Sequence, residues 1–138
     1  MNCYCILSQV NYIGVLIATA IAMIIGFLWY SPQIFGNCWA KDLKLKLENM
    51  DTKKAMKAMF VTSITTFLEI SLLGGLMVWA KISGLFLGIH FAFVIGLIVA
   101  LVKLSEVLYE QKSMKFWAIT AGYRMLYLLI AGALLGGW

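Results

Sequence analysis

Charge is scarce in this sequence. Aspartate, glutamate, lysine and arginine supply 12% of its 138 residues, where ordinary soluble domains carry roughly 25%. Hydrophobic residues reach 63%, and mean hydropathy is +0.93. A soluble domain of this length buries only about two-thirds of the surface its unfolded chain exposes, which is too little to hide so much apolar area. An ordinary water-soluble globule is therefore excluded, and lipid becomes the solvent for most of the surface.

Other shortages narrow the chemistry. The only histidine is His90, and neither a serine–histidine–acid arrangement nor a metal-ligand set can be assembled around it. No nucleotide-binding loop occurs. An intramembrane enzyme is thus the weakest functional reading, and neither a cofactor nor a metal is expected. The three cysteines are Cys3, Cys5 and Cys38; on the topology below they fall on both sides of the membrane, so no disulfide framework joins all three. Free thiols are expected.

What is present is four apolar spans of the ~20-residue length that a bilayer core requires. They run from about residue 11 to 30, 58 to 80, 83 to 102 and 116 to 138 of one single domain. The first has no charge, the second contains Glu69, the third His90 and the fourth Arg124. Open strands cannot cross lipid with unpaired backbone groups, so the expected fold is an all-α membrane protein of four transmembrane helices. The first span lacks a basic leader and a small-residue cleavage site, and is expected to stay in the mature protein.

Lysine asymmetry sets the expected orientation. Lys41, Lys44, Lys46, Lys53, Lys54 and Lys57 lie between spans one and two, and Lys103, Lys112 and Lys115 between spans three and four. Only Lys81 joins spans two and three. Both lysine-rich connections should face the cytoplasm, with both termini outside. The net charge of +5 then reads as a topology and lipid-surface signal rather than a nucleic-acid one. After span one, Trp29, Tyr30, Pro32, Phe35 and Trp39 suit an interface anchor, with Pro32 discouraging further helix. The lysine-rich stretch that follows, with Leu43, Leu47 and Met50, is expected to lie as a short amphipathic segment on the cytoplasmic surface. Asp51 or Thr52 can cap the next helix, and residues 103–115 can prolong the third one.

Two patterns stand out within the spans. Small residues recur every fourth position, as Gly14, Ala18, Ala22 and Gly26 in span one and Gly84, Gly88, Ala92 and Gly96 in span three. Such ridges let backbones approach closely, either within one subunit or between copies in a homo-oligomer. Polar residues form stripes: Thr62, Thr65, Thr66 and Glu69 in span two, and Thr120, Tyr123, Arg124 and Tyr127 in span four. Each set falls at i, i+3, i+4 and i+7, hence on one helical face. At 1.5 Å per residue, Glu69 and Arg124 lie about 16 Å and about 12 Å inside their spans. An unmatched charge there costs at least ~2.5–3.5 kcal/mol. The stripes are therefore expected to face each other, with Glu69 paired to Arg124, both tyrosine hydroxyls in the same network and His90 as a proton partner at similar depth.

The run "GFLWYSPQIFGNCW", with Gly26, Trp29, Tyr30, Ser31, Pro32, Phe35, Gly36 and Trp39, resembles the opening signature of small membrane proteins of the domain of unknown function 1761 family. Trp117, Gly122, Tyr123, Gly132 and Trp138 extend the resemblance into the last span. It implies four helices and a bacterial inner-membrane home, and no activity. From the residues themselves, the leading function is binding or transport of a small polar or charged solute at the Glu69–Arg124 site. The alternative is a structural or accessory membrane subunit in which the pair only fixes the bundle.

Overall fold

In the computed structural model of this chain, residues 3–49 and 51–138 are described. They are 81% helical, with no strand among them. The helices are α1 (Cys3–Leu7), α2 (Tyr12–Trp29), α3 (Gly36–Asp42), α4 (Thr52–Trp79), α5 (Leu85–Tyr109) and α6 (Met114–Gly137), with a 3₁₀ turn at Leu47–Asn49. α2, α4, α5 and α6 are each long and apolar enough to cross a membrane. They alternate in direction, so all the lysine-rich connections share one end.

Local chemistry explains the boundaries. The Gly14 amide donates to the Asn11 side chain, the Lys53 amide to Asp51 and the Phe116 amide to Ser113. Each bond satisfies one of the amides a helix start leaves unpaired. At the other ends, Lys44, Lys81 and Gln111 adopt left-handed φ values of 54°, 54° and 56°. Amides just beyond them donate back to Ala40, Met77 and Val107, closing the last turns of α3, α4 and α5. α4 starts six residues before the expected apolar span and α5 runs seven beyond it, because helix-forming residues carry both past the hydrocarbon. The expected amphipathic segment is interrupted: α3 stops at Asp42, and the left-handed Lys44 turns the chain. Met50 and the side chains of Leu47 and Cys3 lie outside the described residues; Cys5 and Cys38 are free thiols.

α6 is the hub. α5 packs almost entirely on it, α2 packs on both α4 and α6, and α4 barely touches α5. Both small-residue ridges are consumed within the chain. A side chain at Gly88 would fall well inside 3.0 Å of the Gly132 carbonyl oxygen, and the Gly84 amide donates to the Gly136 carbonyl at 2.7 Å. Gly84 itself has φ 108°, a conformation reserved for glycine. On the other side, Gly14, Ala18 and Ala22 of α2 are buried, Gly14 facing Leu135 of α6 and Gly26 facing Tyr123. The short α1, which no sequence pattern announced, leans on the far end of α4, where Leu7 lies against Gly75 and Val10 against Gly74. Around this core the outer faces are apolar, from Phe27 and Phe60 to Phe86 and Leu101, a surface that suits lipid rather than water.

Candidate functional site

The midpoint of the bundle carries the charge. Arg124 lies ten residues into α6, about 15 Å from its start. Glu69 lies ten residues before the end of α4, about 15 Å from the opposite face. Arg124 Nη1 donates to Glu69 Oε1 at 3.3 Å and approaches the Tyr127 hydroxyl oxygen at 3.5 Å. The Tyr127 hydroxyl donates to the second carboxylate oxygen, Glu69 Oε2. One carboxylate, one guanidinium and one phenol thus join α4 to α6 by charge-assisted hydrogen bonds.

Tyr127 is buried, but the Arg124 and Glu69 side chains are 40% and 41% exposed. Their position explains this. On α6, Arg124 lies between Tyr127, which reaches α4, and Leu128, which lies against Gly96 of α5. The pair therefore lies on the side of α6 where α4 and α5 touch each other least. Only Nη1 of Arg124 makes hydrogen bonds; Nη2 and Nε have no partner among the described residues. The half-exposed guanidinium thus keeps open donors.

The remaining polar residues are distributed differently from the two stripes. Thr66 and Thr120 are buried beside the pair's helices, but the Thr120 hydroxyl donates to the Phe116 carbonyl of its own helix at 2.9 Å. Thr62 and Thr65 are exposed, with Thr65 donating to the Thr62 carbonyl. Tyr123 stacks on Tyr127 at 5.1 Å, yet its hydroxyl donates to the Ala22 carbonyl of α2 at 2.8 Å instead of joining the ion pair. His90 is not brought to the site. Gly88 faces Gly132 and Gly136, and Gly96 faces Met125 and Leu128, so the register sets His90 level with the last turns of α6. That is on the order of 13 Å along the axis from Arg124, and its side chain is exposed on the face away from α6.

A second assembly surrounds Tyr123 and unites the two ends of the chain. A Cβ on Gly26 would meet the Tyr123 hydroxyl at 2.7 Å, so glycine there is what admits the tyrosine to the α2 backbone. One residue back, Gly122 leaves room for the Trp29 ring, whose Nε1 donates to the Ile119 carbonyl at 3.0 Å. Tyr30 meets Tyr123 edge-on at 5.4 Å and Trp39 at 5.3 Å, while Trp29 packs on Phe35 at 4.7 Å. Gly36 closes the turn that follows "WYSP", since a Cβ there would lie 2.7 Å from the Ser31 carbonyl oxygen. Farther along, the Trp117 Nε1 donates to the Ala100 carbonyl at 2.9 Å and fixes the other end of α5. Trp138 is exposed and makes no such bond among the described residues.

Beside this assembly a cleft of about 500 Å³ opens between α2 and α4 at the lysine-rich end. Met23, Phe27, Pro32 and Trp39 form one wall, Ala55, Ala58, Met59 and Thr62 the other, with Tyr123 at the floor. No sequence pattern pointed to it.

A family model described as "Protein of unknown function (DUF1761)" matches residues 13–136. No curated protein and no solved structure matches the chain.

Proposed function

The chain belongs to the DUF1761 family of proteins of unknown function, and from that premise we propose that it is a membrane protein that binds, and carries, a small polar or charged solute at Glu69, Arg124 and Tyr127. One observation carries this reading. A charge pair at mid-depth, about two-fifths uncovered, would face hydrocarbon unless something polar meets it, and hydrocarbon contact with charge is costly. The unused Nη2 and Nε donors of Arg124 suit a solute with hydrogen-bond acceptors, a carboxylate or another oxyanion above all, because the guanidinium fork binds such groups bidentately. In this reading the lysine-rich end lies at the cytoplasmic face of a bacterial inner membrane, both termini lie outside, and residues 36–49 run along the headgroups. Both small-residue ridges are used inside the chain, so the site needs no second copy.

A bound solute stabilises the folded state by mass action, which gives the test. The purified protein is screened with small carboxylates and oxyanions for a rise in unfolding temperature, then with Arg124→Gln and Glu69→Gln. Binding at the pair predicts a concentration-dependent rise that disappears in Arg124→Gln. A rise of equal size in a folded Arg124→Gln protein would remove the site.

A further inference from the structure

We infer that the cleft between α2 and α4 is a binding site for an anionic phospholipid of the surrounding bilayer, its acyl chain in the cleft and its headgroup among the lysines at the mouth. The cleft arises because the two helices differ in length. α2 ends at Trp29, whereas α4 has 28 residues, about 42 Å, against a bilayer core of about 30 Å. The first three turns of α4 accordingly stand away from the bundle, with Met56, Met59, Phe60 and Val61 exposed. The opposite wall does not collapse into the opening, because Tyr30 is clamped between Tyr123 and Trp39 and Trp29 is bonded to the Ile119 carbonyl. The opening is apolar along Met23, Phe27, Ala55, Ala58 and Met59, and its volume falls within the ~300–1,000 Å³ typical of ligand sites.

Charge selects the headgroup. Residues 31–57 hold six lysines, namely 41, 44, 46, 53, 54 and 57, against Asp42, Glu48 and Asp51. None of those six lysines is in an ion pair among the described residues. Asp42 accepts from the Ser113 hydroxyl and Asp51 from the Lys53 amide, and six lysines against three acids leave this stretch with a net charge of +3. Lys54 lies one helical turn before the lining residue Ala58 and Lys57 directly precedes it, so positive charge lies beside this cleft at headgroup level, where it favours an anionic surface. A zwitterionic lipid would satisfy the apolar cleft and leave that charge unmatched. The site is independent of the Glu69–Arg124 pair, so either can fail alone.

The test supplies phosphatidylglycerol and phosphatidylcholine in equal amounts to the detergent-purified full chain and counts retained lipids by native mass spectrometry. The wild type should retain one phosphatidylglycerol at least tenfold over phosphatidylcholine. Ala58→Trp, which fills the cleft, should lose both. Lys41→Gln, Lys54→Gln and Lys57→Gln together should keep lipid while losing the preference. Phosphatidylglycerol with brominated chains should quench Trp39 fluorescence, read as the difference from Trp39→Phe, which keeps an aromatic ring in that wall. Unchanged retention in a folded Ala58→Trp protein, equal retention of the two lipids by the wild type, absence of Trp39 quenching, or a second copy cross-linking through Ala58→Cys would each overturn the assignment.

Discussion

Replacing Gly88 by alanine tests how α5 is held. The added Cβ would fall well inside 3.0 Å of the Gly132 carbonyl oxygen and 3.0 Å from the Gly136 Cα. Both obstacles are backbone, so no side-chain rotation relieves them, and the two helices must separate by about 1 Å to restore ordinary contact. A gap of that size forfeits between a quarter and a half of each dispersion contact along the seam. It also stretches the 2.7 Å bond from the Gly84 amide to the Gly136 carbonyl. Overpacking of this kind costs about 1–3 kcal/mol, and the upper end is expected because α5 has almost no other neighbour. Gly137→Ala is the control: its Cβ would meet a flexible Leu85 methyl at 3.2 Å, and it should cost under ~0.5 kcal/mol. Denaturant unfolding in detergent, with a cysteine pair reporting α5–α6 proximity, measures both. Equal effects from the two substitutions, or a Gly88→Ala protein as stable as wild type, would refute the register on which the placement of His90 also rests.

Three other outcomes follow from the contacts. Gly26→Ala should destabilise by about 1–3 kcal/mol, and less in a Tyr123→Phe background, because the hydroxyl is the nearest obstacle at 2.7 Å; a double-mutant cycle of unfolding free energies showing strict additivity would deny the contact. Lys81→Gly should be neutral or stabilising by up to about 1 kcal/mol, since φ at that position is 54° and L residues are strained there; chemical denaturation showing a clear loss would contradict the left-handed cap. Glu69→Gln should cost only about 1 kcal/mol in unfolding experiments, because the pair is two-fifths exposed and polar helix–helix bonds in membranes contribute modestly; a loss several times larger would mark the pair as the bundle's main fastening.

How much of this was legible beforehand depended on range. The four long helices followed from run length and the scarcity of charge, and the opposing placement of Glu69 and Arg124 followed from two stripes with one period and the cost of an unmatched charge in lipid. The resemblance carried by "GFLWYSPQIFGNCW" holds over residues 13–136. Partner choice across helices was not legible. Nothing local shows that Tyr127 turns to Glu69 while Tyr123, one turn earlier, takes the Ala22 carbonyl, since that depends on where Gly26 thins the neighbouring helix. The depth of His90 was misjudged because hydropathy ends span three near Val102, whereas α5 continues to Tyr109 and its height is set by glycine contacts with α6. The cleft was invisible for a related reason, as it exists only because α4 outruns α2.

The most direct measurement exchanges the two charges, Glu69→Arg with Arg124→Glu, and follows uptake of an identified oxyanion into vesicles containing the folded protein. Retained helicity with uptake reduced to the level of empty vesicles is expected, because the exchange keeps the pair but removes the open guanidinium donors from α6. Uptake by the exchanged protein equal to that of the wild type would show that the pair serves only to hold the helices together.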